Sequence, residues 1–515
     1  MDRIKTVAMY LPQFHRTKEN DAWWGEGFTE WTAVQAAKPL YPGHVQPRKP
    51  LDGNYYDLTE KRALEWQAGL AAKYGVDCLC FYHYWFGNEK LLLERPAENL
   101  LAWKDVAMPF CFCWATGTWA RTWSNCGNWS WTPRFDKKRE DDLEAVRKRQ
   151  GILVEQVFGG REDWERHIDY LLPFFKDDRY LKLDGKPVFV FYGAESVYCL
   201  EEMLELWNGR LREAGIPGLY VAGVNLSMSA SAALDADIRL RNGGRGAALA
   251  PYARRGPEDL WMVDYDRLWQ GYLAEKRIPG RRTYDCITVA YDDTPRRGGQ
   301  GTVYEGVSPE KFGQYYQAML RRSLAEGNRL IFINAWNEWG EGMYLEPDEQ
   351  NGYAYLAALR AAQKAVTSEM PVTAEEKGPF LVQEAYMQQL SRTAYKNKRE
   401  VRLLLRWMQQ REQGKHPDAY LLQKGYRRIA IYGMAMKGER LRNELEGTEV
   451  KVIYGVDRAK NAVTGDLPMY DLQDDLPPVD AIVVSVITEF LPIYRNLRKK
   501  TDVPILSLEE LIFEG

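Results

Sequence analysis

The sequence predicts an α/β protein whose larger part is a (β/α)8, TIM-like barrel, followed by a helical linker and a second, smaller α/β unit. Three observations carry that expectation. Apolar, β-branched or aromatic runs recur along the first 350 or so of the 515 residues, with helix-period segments between most of them, which is the signature of parallel βαβ units. About 350 residues is the length that eight such units and some inserted loops require. Polar and aromatic residues also gather where the apolar runs end, and a barrel places its chemistry at the carboxyl ends of its strands. A doubly wound open sheet is the alternative.

The runs are "KTVAMYLP" (5–12), "VDCLCFYHYW" (76–85), "MPFCFCWA" (108–115), "KPVFVFYG" (186–193), "GLYVAGVN" (218–225), "CITVAYDD" (286–293) and "RLIFINAW" (329–336). A weaker eighth strand lies at "DIRLRN" (237–242) or "WMVDYD" (261–266). Residues 58–75 have helical period, with Thr59 as the expected cap and Gly75 as the stop. Segments 162–177, 201–215 and 308–327 read as helices in the same way.

Composition narrows the function classes. A net charge of −3, with 69 basic and 72 acidic residues, gives no electrostatic case for nucleic acid. No apolar run reaches membrane-spanning length, and the amino terminus has no signal-peptide pattern. Cys78 and Cys80, like Cys111 and Cys113, alternate within apolar runs and read as buried small hydrophobes. With an odd count of seven and no Cys/His cluster, a reducing, cytoplasmic setting is expected, with neither structural metal nor cofactor. Aromatics are abundant at 13%, including 18 Trp and 31 Tyr. Flat rings with polar edges suit a sugar, so Trp23, Trp24, Trp31, Trp85, Trp114 and Trp336 are expected to supply several stacking surfaces in one cleft.

Candidate site residues follow from the strand ends. Gln13 and His15 follow the first run, His83 and Trp85 end the second, Trp114 the third and Tyr192 the fourth. Asn225 ends the fifth, Tyr291 and Asp292 the run at 286–293, and Trp336, Asn337 and Glu338 come at the end of the last. In "NAWNEWGEG" (334–342) Glu338 and Glu341 stand three apart, flanked by Trp336 and Trp339. On a helical turn that spacing gives neighbouring side chains. Cleaving a glycosidic bond needs two such carboxyls, one to protonate the leaving oxygen and one to act as nucleophile or base. Apolar neighbours separate their pKa values by desolvating one of them. A helix amino-terminal turn with acidic residues complementing the dipole is the plainer reading of E-x-x-E.

Residues 8–58, with "ILVEQVFGGREDW" (152–164), "LLPFFKDDRYLKLDGKPVFVFY" (171–192), "YDDTPRRG" (291–298) and "INAWNEWGEGMYLEPD" (333–348), resemble a family of bacterial polysaccharide gene clusters. Its members are described as glycosyltransferase WbsX-like or glycoside hydrolase family 99-like. The resemblance covers about residues 5–365. It implies a (β/α)8 fold and an enzyme acting on O-antigen or capsule-type glycans with retention of configuration. One Glu would remove the proton of the sugar's own 2-hydroxyl and the other would serve as acid and then base. By motif position these are Glu338 and Glu341 respectively. The chain departs from the family after the third strand, where Thr116, Gly117 and Thr118 in "CWATGTWARTWSN" (113–125) replace a polar N-E-N, implying altered specificity or activity.

Beyond about residue 370 the sequence changes character. Residues 371–424 are polar with helical period and read as a linker. Residues 425–515 alternate strands and helices, with Gly433-x-Ala435-x-x-Gly438 and Asp457 about 20 residues on, a spacing similar to a dinucleotide fingerprint. This tail resembles truncated Rossmann-like units, serving either as a nucleotide site or as a scaffold for partner enzymes. D-x-D triplets at Asp235–Asp237 and Asp264–Asp266 keep a metal- and sugar-nucleotide-dependent transferase in view as the alternative. A glycan-binding protein without catalysis is the third.

Overall fold

The computed structural model describes residues 3–120, 152–240, 248–277, 280–368, 381–457 and 467–515. Eight parallel strands close into a barrel: β1 (Lys5–Tyr10), β2 (Cys78–Trp85), β3 (Phe110–Ala115), β4 (Lys186–Tyr192), β5 (Tyr220–Val224), β6 (Ala236–Arg239), β7 (Arg282–Thr288) and β8 (Leu330–Asn334). Closure is made by β1, which pairs with β2 on one side and β8 on the other, Val7 opposite both Cys78 and Phe332. The strands are near-continuous apolar runs because the barrel interior and the outer helices cover both faces.

The weak eighth strand is resolved in favour of 236–239. Residues 241 and 242 of that expectation lie outside the described residues. The competing run, Trp261–Asp264, joins a small side sheet with Ala253–Arg255 and Thr302–Glu305. Helices follow most strands: α1 (Lys61–Tyr74), α2 (Arg95–Ala102), α3 (Arg161–Lys176), α4 (Leu200–Glu213), α5 (Tyr265–Ala274), α6 (Pro309–Ala325) and α7 (Ala354–Ser368). Gly75 does end α1 in a left-handed turn at φ 85°. Thr59 does not cap it, because its amide and hydroxyl both bond to Asp57.

The tail holds a five-stranded parallel sheet: β9 (Arg428–Tyr432), β10 (Lys451–Val456), β11 (Met469–Tyr470), β12 (Ala481–Val484) and β13 (Ile505–Ser507), in the order β11-β10-β9-β12-β13. The segment expected to link the two units is helical over α8 (Leu381–Glu412), while 369–380 lie outside the described residues. Its second half is more than a connection. Leu403 and Trp407 are buried in the core of the small sheet, because helix-spaced apolar residues there find the partner that a free linker would lack. Buried Arg399 bonds both Glu202 of α4 and Glu509 of the tail. No helix among the described residues is long and apolar enough to cross a membrane.

Candidate active site

The chain leaves β8 into a tight hairpin. Asn337–Glu338 pairs antiparallel with Met343–Tyr344, and Trp339–Glu341 between them makes one 3-10 turn. Glu338 immediately precedes this turn and Glu341 closes it, and both side chains reach the same guanidinium, that of Arg296. Asn337 fixes the hairpin to the end of β1, accepting from the Leu11 amide at 2.8 Å and donating to the Leu11 carbonyl at 3.0 Å. Both glycines of the motif have steric reasons. A Cβ at Gly340 would lie 1.9 Å from Glu30 Oε1, and Gly342 is left-handed at φ 58° with Asp292 against it.

One guanidinium gathers the carboxylates. Arg296, buried in the loop after β7, donates from Nη1 to Glu341 Oε1 at 2.6 Å, from Nη2 to Glu338 Oε2 at 3.2 Å and from Nε to Glu30 Oε1 at 2.7 Å. The two motif carboxylates therefore lie within the span of a single side chain. Their environments differ. The Glu338 side chain is 9% exposed and that of Glu341 26%. Burial first, then the Glu341 charge, pushes the Glu338 carboxyl up to about 8, against the Arg296 cation. A buried, raised carboxyl next to a more exposed one is the unequal pair that acid–base chemistry requires.

A second layer holds this turn. Buried Glu346 accepts from Tyr56 Oη, Gln67 Nε2, Trp336 Nε1 and Trp339 Nε1 at 2.7–2.9 Å. Burial raises its carboxyl to about 7 while those four donors favour the anion. Asp292 accepts from His44 Nε2, Gln46 Nε2 and the Thr294 hydroxyl. Burial opposes its charge, but the His44 hydrogen bond and the Arg48 cation outweigh it and hold the carboxyl at about 2. Tyr291 donates to Asp293, whose carboxyl burial raises to about 6.

Several residues expected in the site stand elsewhere. His83 and Trp85 point outward from β2 into α3, where His83 bonds His167 at 2.8 Å and Trp85 stacks on His167 at 4.3 Å. Trp114 packs there too, against His167 and Trp207, its indole donating to the Trp85 carbonyl. The reason is strand parity: alternate residues face opposite sides. The neighbours that share an environment with Glu338 are Tyr82 and Tyr84, whose hydroxyl pKa values its charge raises further beyond the effect of burial.

Tyr192 joins Tyr82 edge-on at 6.2 Å, and Tyr84 meets Trp119, which in turn meets Trp23. Tyr82 and Tyr84, the rings that share the Glu338 environment, are thus continuous with Tyr192, Trp119 and Trp23. Trp336 and Trp339 are fully buried on Glu346, Trp31 packs behind Trp339 at 5.5 Å, and Trp24 is buried against Phe28. His15 is buried, its pKa lowered by that burial. Asn225 spends its amide on the Leu240 carbonyl, tying β5 to β6. Sequence reading missed Glu30, Arg296, Glu346, Tyr82 and Tyr84; parity from Cys78 would have selected the two tyrosines.

The segment that departs from the family is local in effect. Thr116 turns its hydroxyl to the Tyr192 and Gly193 carbonyls, and the Thr118 hydroxyl accepts from the Gln156 amide; residues 121–125 lie outside the described residues. Both D-x-D triplets are engaged structurally. Asp235 accepts from the Val221 amide, Asp237 pairs with Arg239, Asp264 caps α5, and Asp266 accepts from Lys311 and Tyr315. Among the described residues no group of three or more His, Cys, Asp or Glu is placed to hold a metal. In the tail, Asp457 accepts from the Met434 amide beside left-handed Gly433.

The sequence profile described as glycosyltransferase WbsX matches residues 6–359. The uncharacterized protein WxcX of Xanthomonas campestris pv. campestris, in two strains, is 32% identical over 365 residues, which is 69% of this chain and 49% of that protein. The chain thus spans about half the length of these relatives. Among solved structures, a GH99 endo-alpha-mannosidase from Bacteroides thetaiotaomicron superposes with a TM-score of 0.40 at 16% identity, over 70% of this chain and 96% of that one. A glycoside hydrolase-like protein gives 0.43 at 13% identity, over 70% and 94%.

Proposed function

The chain belongs to the glycosyltransferase WbsX family, and from that premise we propose that its barrel is a carbohydrate-active enzyme that breaks glycosidic bonds of a bacterial surface polysaccharide with Glu338 and Glu341. The observation that supports this most is the pair itself: two carboxylates of unequal burial on one buried guanidinium, at the carboxyl end of a closed barrel. In the form that reacts, the proton of the pair lies on Glu341; Glu338, ionised, takes the proton of the substrate's 2-hydroxyl, and that oxygen attacks C1 as the C1–O bond breaks. Glu341 gives its proton to the leaving oxygen. In the second half, Glu341 takes a proton from water, which opens the 1,2-anhydro ring at C1, and Glu338 returns its proton to O2. A basic carboxyl suits the first role, since proton transfer is most efficient when the catalytic pKa lies near the working pH.

The family's description favours a second outcome of the same chemistry, in which a sugar hydroxyl replaces water and the product is a transferred glycosyl unit. Tyr82, Tyr84, Tyr192, Trp119 and Trp23 supply the ring faces for sugar stacking in this reading. The tail, with its parallel sheet and glycine turn, serves as a Rossmann-like scaffold. Incubating the protein with bacterial surface polysaccharides, with and without sugar nucleotides, tests the reading. Release of reducing ends, or of lengthened glycans, without a nucleotide supports it. Activity only with a sugar nucleotide and a divalent cation would replace it.

A further inference from the structure

We propose that Glu30 is a positioning residue that decides where the proton sits on the Glu338–Glu341 pair; this rests on the reading of that pair as the working groups. Glu30 opens the short helix Glu30–Gln35, its amide bonded to the Gln13 carbonyl at 3.3 Å. Its side chain is 1% exposed, in a place where a carboxylate is costly. Oε1 accepts from Arg296 Nε at 2.7 Å, and Oε2 is buried with no hydrogen-bond partner among the described residues. Three carboxylates therefore share one buried cation, and with all three ionised the cluster would carry an excess of negative charge. One bound proton relieves it.

Distance selects the proton's place. Arg296 binds Glu341 at 2.6 Å and Glu30 at 2.7 Å but Glu338 at 3.2 Å, so Glu338 is the least compensated of the three. Among the described residues, the groups that face Glu338 are Arg296, Glu30, Glu341 and the hydroxyls of Tyr82 and Tyr84. Among the described residues the Glu341 and Glu30 charges are the ones that raise it, and Glu30 also takes a share of the cation. The Gly340 position is what lets Glu30 come this close, since any Cβ there would collide with both Glu30 Oε1 and Arg296 Nε.

Glu30→Gln keeps an oxygen to accept from Arg296 and removes the charge. Glu338 then loses its proton more readily, and whichever limb of the kcat/KM pH profile Glu338 governs moves to lower pH, by about one unit for a near neighbouring charge. A residue that only supports the fold would lower Tm or kcat and leave that midpoint in place; an unmoved midpoint in a folded Glu30→Gln protein overturns the proposal. Glu30→Ala, which also drops the hydrogen bond, should show the same displacement with a lower Tm. A readout without turnover separates this inference from the reaction it rests on. The pH midpoint over which wild-type Tm falls, absent in Glu338→Gln, should also move to lower pH in Glu30→Gln. A moved Tm midpoint in a protein that acts on no glycan upholds the proton placement and sinks the reaction; turnover with both midpoints unmoved does the reverse.

Discussion

Among the described carboxyls of the candidate site with a raised value, Glu338 is pushed furthest from its ordinary range. Its folded carboxyl is raised to about 8 by burial and by Glu341, well above the range of an exposed carboxyl in the unfolded chain. The folded state therefore holds the proton more tightly than the unfolded state between those two values. Stability contributed by that proton is present at acidic pH and is lost as pH rises from about 4.5 toward 8. Glu338→Gln should flatten this decline and be the more stable protein at pH 8–9, by on the order of a few kcal/mol. Denaturant unfolding at pH 5 and pH 9 reads it; equal pH dependence in the two proteins would contradict it. Glu338 and Glu341 were legible in the sequence because adjacency within one motif is local. Arg296 and Glu30 were not, since nothing local joins residues 266 positions apart.

At the scale of elements, the hairpin 337–344 and strand β2 show what patterning can and cannot deliver. Apolar runs with turn residues at their ends located seven barrel strands, because burial on both faces leaves an unbroken hydrophobic signature. That same uniformity hid which residues face the interior. In β2 every residue but Tyr82 is buried, so hydrophobicity alone does not separate Tyr82 and Tyr84 from His83 and Trp85. In the hairpin, E-W-G-E-G is a packing statement as much as a chemical one. Gly340→Ala forces Glu30 and Arg296 apart from the turn, and overpacking of this kind costs about 1–3 kcal/mol. The measurement is paired: a Tm loss together with a fall in activity larger than that loss explains. Wild-type Tm with wild-type activity would show that Glu30 is not held where Gly340 leaves room for it.

The whole molecule couples two sheets through one helix and one buried ion cluster. Arg399 on α8 reaches Glu202 of the barrel and Glu509 of the tail, and all three are buried. Phe513 stacks on Tyr198 at 4.6 Å, and Glu514 accepts from Tyr198 and the Phe158 amide. The tail thus bears on the segment that leads into α3. Removing one partner of a buried ion pair is strongly destabilising, about 3–5 kcal/mol, so Arg399→Ala should lower the unfolding midpoint and separate one transition into two. Because burial raises Glu509 to about 7, the loss should shrink as pH falls below about 7, where that carboxyl protonates. A single unchanged transition at pH 7 would show that the cluster does not hold the units together. The change in composition near 370 was visible in the sequence; the burial of Leu403 and Trp407 was not, because their partners lie in strands up to about 100 residues further on.

All of these scales converge on the pair at the end of the barrel, and one comparison tests it. With a polysaccharide that the wild-type protein turns over, initial rates and binding of the same glycan are measured for Glu338→Gln and Glu341→Gln. General acid and base groups each contribute about 10²–10⁴-fold. Both variants are therefore expected to lose activity on that scale while binding the glycan with near-unchanged affinity. Near-normal turnover in either variant, or loss of binding in step with loss of turnover, would contradict the assignment of Glu338 and Glu341 as the groups that do the chemistry.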